Sequence, residues 1–568
     1  MKILFSVSSF GFLRNFQSTI RLLAERGHAI HVIAERTDAI DGQKMVDSLK
    51  ADHPSIEYEF VPSSRHRLWY ALGTGVRAAL DYWRYLDARW DRSPKLRGRA
   101  AEQAPGFAVA IGSLPVVGSR AGRALLIRLF HAIDRVLPPP AEVTDVFRRI
   151  QPDLMLLTPL LYFRSHQVDH IRSARLLGIK SILGVGSWDH LTTKGLIHEV
   201  PDRVLVWNEA QKREAIELHG VPPDQVVVTG AQAYDHWFST GPSIEREAFC
   251  RRVHLDPDRP LLLYLCSSPF IAPHEVGFVR RWIAAVRASA DPRLRTAGVL
   301  VRPHPQNWKQ WQDVDLAAEF DNVAFWPKTG VNPIGGAARS DYFDSIYHSE
   351  AVVGVNTSAM IESGIIGRPV YTVQAEEFAA TQEGTLHFQH LKNVDGGLVF
   401  QAQTLDEHTG QLARMLNGDG AERLHARGFI QGFIRPHGLD VAATPRVVDE
   451  IERLAVGSPA PATPSIGARV LRTALVPAAI LATVMTMERA KLRSIVLHWT
   501  RPARLAFRAF VSRLIYAGRF VRRLPRLMLR LAIIVIRRLF VLPARWLMNR
   551  TKVRLHEFLV WRKGDEVP

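Results

Sequence analysis

Short apolar runs alternate with stretches of helical periodicity over most of the chain. Lys2 to Ser8, Ala29 to Ala34, Leu154 to Leu157, Ser181 to Val185, Arg203 to Trp207 and Gln225 to Thr229 read as strands, apolar at consecutive positions. That is the pattern of strands covered on both faces, as in a parallel sheet. A second series follows at Pro260 to Cys266, from Val299 into Arg302, and at Val323 to Trp326, Ala351 to Val355 and Val370 to Val373. Helix signals fall between them. A helix after Phe10–Asn15 runs to about Arg26 and ends at Gly27, and another from about Ser358 to Ile366 ends at Gly367 before Arg368-Pro369. Strand and helix in alternation predict an α/β chain with two Rossmann-like domains.

The pattern changes in three places. Residues 65–136 place Trp69, Tyr70, Tyr82, Trp83, Tyr85 and Trp90 among arginines at helical spacing, which predicts a helical insertion in the first domain. Packing of amphipathic helices on the core accounts for it more simply than a sugar or headgroup site. Thr444 to Leu454 reads as a closing helix, with Pro445 in its first turn. The Pro- and Ser-rich 457–467 reads as a linker. The expected organisation is therefore 1–238, 239–456, a linker at 457–467, and a helical tail at 468–568.

At 568 residues the chain is too long for one core. Two cysteines, Cys250 and Cys266, support no disulfide framework and point to a reducing compartment. The opening MKILFSVSSF reads as a first strand, not a leader. The net charge of +18 sits in the tail: from Pro461 onward there are 22 Lys+Arg against 4 Asp+Glu, an excess of 18, which leaves 51 of each sign in the remainder. A neutral body with a basic, Leu- and Ile-rich tail fits an anionic membrane surface better than nucleic acid. Arg519, Arg522, Arg523, Arg526 and Arg530 recur on one helical face of that tail. Its longest uncharged run, Thr473 to Met487, holds 15 residues and Pro477, against about 20 needed to span a bilayer, so no spanning segment is expected.

Candidate chemistry gathers at strand ends. VLVRPHPQN carries Arg302 and His304 alternately at the end of an apolar strand, each followed by proline, which holds the backbone extended. Asn356, Thr357 and Ser358 follow the Ala351–Val355 strand and open a helix, a place where free N–H groups favour phosphate, with Glu362 one turn on. Ser267 and Ser268 end another strand, where backbone N–H groups have room for an anion or make an ordinary turn. The GSWDHLTTKG loop holds Asp189 and His190, which on extended backbone point opposite ways, so only one is expected to face a cleft. Arg14 and Asn15 lie in the turn after the first strand; an exposed arginine and a helix cap explain them equally well. GTLHFQHL and FIRPHG concentrate His387, His390 and Arg435 without a role legible from spacing.

The RPHP strand end with the Asn-Thr-Ser turn resembles the donor-binding half of GT-B glycosyltransferases, in pattern nearest the CDP-glycerol glycerophosphotransferase and capsule-assembly group, over roughly residues 180 to 375. TGAQAYDHW, Thr229 to Trp237, resembles the strand end before the inter-domain linker of that superfamily. The resemblance implies two facing domains, with Arg302, His304, Asn356, Thr357, Ser358, Ser267 and Ser268 on a nucleotide diphosphate and Glu362 on the ribose. His190 or Asp189 would deprotonate the acceptor, Arg14 and Asn15 would lie on the acceptor side, and His304 would serve the reaction. It implies a nucleotide-sugar donor as substrate, no cofactor, no metal, and a membrane or lipid-linked acceptor for a peripheral enzyme on the inner face of the membrane. Alternatives are a CDP-polyol phosphotransferase, a UDP-sugar 2-epimerase-like enzyme and a non-catalytic membrane scaffold. The Asp313-Val314-Asp315 triplet is flanked by helix-like sequence and is set aside as a metal motif, as is the sequon at Asn356. NTPase loops, zinc-spaced cysteines and hydrolase elbows do not occur.

Overall fold

A computed structural model describes residues 1–38, 42–61, 68–333, 336–418, 420–457 and 459–497. Residues 1–483 form one compact unit and 484–568 a second. In the first unit, two wholly parallel sheets lie one after the other along the chain. The first comprises β1 (Lys2–Ser9), β2 (Ala29–Arg36), β3 (Ile56–Phe60), β4 (Leu154–Thr158), β5 (Lys180–Gly184), β6 (Arg203–Val206) and β7 (Val226–Val228), in the order β3-β2-β1-β4-β5-β6-β7. The second comprises β8 (Leu261–Leu265), β9 (Gly298–Arg302), β10 (Val323–Phe325), β11 (Ala351–Gly354), β12 (Val370–Val373) and β13 (Val399–Ala402), in the order β10-β9-β8-β11-β12-β13. Both are doubly wound, and the strand order reverses between β1 and β4 and between β8 and β11. Ligands in such sheets bind outside the carboxyl ends of the strands at those reversals.

The strands form where the apolar runs predict them, because both faces are covered. Leu154, Met155, Leu156 and Leu157 are wholly buried, and so are Leu262, Leu263 and Tyr264. Two strands escape the sequence pattern: β3, partly open on its outer face, and β13, with two half-buried residues. The helix Gln17–Glu25 ends before Gly27, whose φ of +83° only glycine adopts freely.

Between β3 and β4 an insertion of helices Tyr70–Arg84, Pro94–Gln103, Gly106–Gly112, Pro115–Gly118 and Arg120–Val136 packs around its own core of Trp83, Tyr85, Trp90 and Leu96. It also reaches the second sheet's side of the molecule. Ser93 donates to the Gly384 carbonyl, Lys95 donates to the Phe270 carbonyl at 3.4 Å, and the Arg99 guanidinium stands 4.3 Å from the Phe270 ring centre. The helix Ala443–Ala455 returns to the first sheet, where Val447, Val448, Ile451 and Leu454 join the core of Ile3, Phe5 and Ile20. Arg26 pairs with Asp449 and Glu452 at 2.8 and 2.6 Å beside that seam.

The tail differs from expectation. A helix runs from Ile466 to Leu497 through Pro477, and its Ile466–Thr486 stretch is long and apolar enough to cross a membrane by length and composition. The uncharged run is shorter because Arg469 and Arg472 lie within the helix near its start. Arg472 donates to the Val136 carbonyl at 2.9 Å, and Thr483 to that of Leu68 at 3.2 Å. The arginine stripe at 519–530 lies outside the described residues.

Candidate functional site

The sequence-predicted residues all stand at or just past the carboxyl ends of β1, β5, β8, β9 and β11. The turn Phe10–Asn15 leaves β1 and projects Arg14, which is exposed, while the Asn15 carbonyl accepts from Gln232 at 3.1 Å. The Arg14 charge reaches groups of both domains. It opposes protonation of His190 and His304 and favours ionisation of Tyr162, Tyr234 and Glu362. His304 and Glu362 belong to the second sheet, so the loop after β1 and the loops after β9 and β11 border one space.

The loop after β5 supplies most of the charge in that space. Asp189 is not on extended backbone; its φ and ψ of −105° and −1° start the helical turn His190–Thr193. The alternation argument therefore does not apply, and both Asp189 and His190 belong to the cluster. The Asp189 carboxylate accepts from Ser187 Oγ at 2.6 Å and Thr193 Oγ1 at 2.9 Å. Burial pushes it up, but the charges of Lys194, His190 and His387 with the Ser187 bond outweigh burial and hold it well below the usual carboxylate range. The His190 ring makes no hydrogen bond among the described residues, and burial lowers it to about 4 against the pull of Asp189. It is neutral at pH 7.

Three further groups complete the cluster. Lys194 closes the same loop, 5.7 Å over the Tyr162 ring, its pKa lowered by burial. Arg99 comes from the insertion and donates to the Thr193 carbonyl. His387, on the helix Leu386–Asn393, meets Trp188 edge to face at 4.8 Å and lies 3.3 Å from Asn356 Nδ2. Burial takes His387 to about 4, with Asp189 opposing. Lys194 lies inside the GSWDHLTTKG segment beside Asp-His, His387 lies in the His-rich GTLHFQHL segment whose spacing assigns no role, and Arg99 carries no signal of its own in the sequence.

In the second domain the expected pair is split. β9 stops at Arg302, and the guanidinium turns into the helix Gly336–Tyr347, 2.8 Å from Asp341 Oδ2 and 2.6 Å from Ser345 Oγ. Its charge is met inside the fold by Asp341. His304 leaves the strand in a turn, accepts the Gln306 N–H at 3.1 Å on Nδ1, and is lowered to about 4 by burial and Arg14. Ser267 is fully buried; its N–H binds Glu275 at 2.8 Å and its carbonyl accepts from Asn307, so that backbone N–H is not open to an anion. Ser268 is half-buried.

The helix after β11 spans Ala359–Ile365, shorter than expected at both ends, with no side-chain cap from Ser358. Asn356 is buried and donates to the Thr381 carbonyl at 2.6 Å, a packing role; Thr357 is half-buried and Ser358 exposed. Glu362 accepts the Tyr342 hydroxyl, and burial raises it to about 7, against that bond and Arg14. Among the unassigned residues, His390 pairs with Glu214 at 2.5 Å and Arg435 with Asp235 at 3.2 Å; both join the two domains.

A cavity of about 460 Å³ opens beside the cluster at the carboxyl ends of β1 and β2, lined among others by Ser8, Glu35, Arg36, Tyr162, His166 and His170. The larger cavity, about 760 Å³, opens at the opposite end of the second sheet, by Pro260, Glu350 and Pro369, and touches none of these groups. Among the described residues no His, Cys, Asp and Glu group has metal-site geometry.

No protein-family model matches the chain, and no curated protein does. Solved structures align along most of it. UDP-GlcNAc 2-epimerase from Methanocaldococcus jannaschii is 12% identical over 80% of this chain and 100% of its own, with a TM-score of 0.45. A glycosyltransferase from Rickettsia africae is 10% identical over 80% and 99%, at 0.46. UDP-GlcNAc 2-epimerase from Neisseria meningitidis, bound to UDP-GlcNAc, is 12% identical over 80% and 100%, at 0.45. Likeness at that level carries no activity across.

Proposed function

We propose that the protein is a nucleotide-sugar-dependent glycosyltransferase of GT-B type, working in the space between the carboxyl ends of its two sheets. One observation carries the reading. The loop after β5 meets the second domain directly, Trp188 lying edge to face with His387 at 4.8 Å, and the charge of the exposed Arg14 bears on His304 and Glu362. An exposed arginine, a lysine and neutral imidazoles around a two-domain gap suit a diphosphate, and fixed cations stabilise the charge that develops on a leaving nucleotide. In this reading Arg14 and Lys194 meet the diphosphate, His304 hydrogen-bonds it, and Glu362 receives the ribose hydroxyls. His190 takes the acceptor proton while Asp189 steadies the imidazolium that forms. The acceptor is membrane- or lipid-linked, and the basic tail holds the enzyme at an anionic surface, in surface polysaccharide or glycolipid synthesis.

The test is a thermal-shift series with UDP, GDP, CDP, CMP and their sugar conjugates, since a ligand bound only by the folded state raises its stability by mass action. One diphosphate should stabilise the protein, and His304→Ala should reduce both the shift and turnover. Indifference to every nucleotide rejects the reading in favour of a scaffold.

A second reading, a UDP-sugar 2-epimerase, is favoured by Glu362, a carboxyl poised at about 7 and suited to moving a proton at neutral pH. An epimerase converts the nucleotide sugar alone. A transferase consumes it when an acceptor hydroxyl is supplied.

A further inference from the structure

From Ala104 to Ile133 the chain has no aspartate or glutamate, and it carries Arg120, Arg123 and Arg128. This stretch folds as the outer helices of the insertion. On the helix Arg120–Val136, Leu126, Ile127, Phe130 and Ile133 turn inward to the insertion core. The opposite stripe, Ala121, Ala124, Leu125, Arg128, Leu129, Ala132 and Arg135, is exposed at helical spacing. Leu125 is 70% exposed and Leu129 56%, with Phe107 at 47% on a preceding helix and Leu114 at 51% in the turn after it. The Phe107 and Phe130 rings stack at 6.3 Å, which ties those helices together. Open leucines and a phenylalanine flanked by arginine, with no acid between, are uncommon on a monomeric surface and mark an interaction face.

We propose that this face of the insertion enters the headgroup layer of an anionic lipid bilayer. It would be a membrane contact separate from the basic tail and independent of the reaction in the cleft. Two observations select lipid over other occupants. The exposed charge on the stripe is all positive, which complements an anionic surface. The helix that begins at Ile466 is hydrogen-bonded to Val136 and Leu68 at the two ends of the insertion, and it too leaves Ile466, Val470 and Leu481 exposed. Two adjoining elements thus present apolar side chains beside arginines, the composition of helices that lie in a membrane interface.

The test uses the full chain and vesicles of phosphatidylcholine with roughly 30 mol % phosphatidylglycerol, an anionic content in the range that attracts basic segments. Cys250 and Cys266 are buried, so an environment-sensitive dye can be placed at Leu125→Cys or Leu129→Cys, with exposed Ala248→Cys as the control. Vesicles should blue-shift the dye at both leucine positions, brominated acyl chains should quench it there, and the control should not respond. Leu125→Glu with Leu129→Glu should lower vesicle partitioning about tenfold or more with the fold intact, because both side chains are exposed. Vesicle binding with both dyes still in water would place the anchor in the tail alone and overturn the proposal. So would a dye shift that rises with protein concentration in the absence of lipid, the mark of a second copy covering the stripe. Failure to bind vesicles at all would overturn it as well.

Discussion

Thr444 donates both its hydroxyl and its backbone N–H to Asp235 Oδ2, at 2.6 and 2.7 Å, across 209 residues of chain. Oδ1 accepts the Ala443 N–H at 3.0 Å and lies 3.2 Å from the Arg435 guanidinium. A carboxylate at the end of the first domain thereby caps the helix that returns from the second, and the helix dipole favours its charge. The position at which the chain leaves one sheet is fixed to the position at which it comes back.

Asp235→Ala is accordingly expected to lower stability by roughly 2–4 kcal/mol, a lost cap together with a buried arginine left without its partner. Asp235→Asn retains an acceptor for the cap and should recover part of the loss. Urea denaturation of the three proteins measures it.

Arg302 is expected to behave as a packing residue. Asp341→Leu leaves a buried guanidinium unpaired and should cost on the order of 3 kcal/mol, whereas Arg302→Met with Asp341→Leu removes both charges and should cost much less. The double variant should bind nucleotide as the parent does. A loss of binding in the double variant, with the fold intact, would return Arg302 to the ligand.

Glu275 links stability to pH. It is fully buried beside the end of β8, accepts from Tyr264 Oη and the Ser267 N–H, and is raised by burial from 4.5 to about 8. Between those values the folded protein holds a proton that the unfolded chain has released. Stability contributed below pH 4.5 is therefore lost as pH rises toward 8, at up to about 1.4 kcal/mol per pH unit. Glu275→Gln should flatten that slope, as read from melting temperatures between pH 5 and 8.

Arg14→Ala removes an exposed side chain and should leave the melting temperature nearly unchanged. The donor KM should rise roughly tenfold or more, with a weaker dependence on salt, as for a cation acting through an open cleft. The His304 titration midpoint should move up from about 4, because a positive neighbour that opposes its protonation has gone.

The strands and their order along the chain were legible in the sequence, because a strand buried on both faces must be apolar at every position, and turn residues must punctuate it. The returning helix, the helical insertion and the loops bearing Arg14, Asp189, His190, His304 and Glu362 followed from the same local rules. Strands β3 and β13 did not, since each leaves side chains partly open and so lacks the unbroken run.

Everything that turns on a distant partner lay outside that reach. Arg302 and His304 look like a matched pair two residues apart, yet Asp341 and Ser345 take one, while the other stands in the turn past the end of β9 and accepts the Gln306 N–H. His387 comes within 3.3 Å of Asn356, and Arg99 crosses from the insertion to the Thr193 carbonyl and the Phe270 ring. Sequence pattern reports what a residue needs from its neighbours along the chain: a covered face, a capped end, a turn. Which charge a side chain finally meets is decided when elements far apart in sequence pack together, and in this protein that packing buries Arg302 against Asp341 and leaves Arg14 exposed.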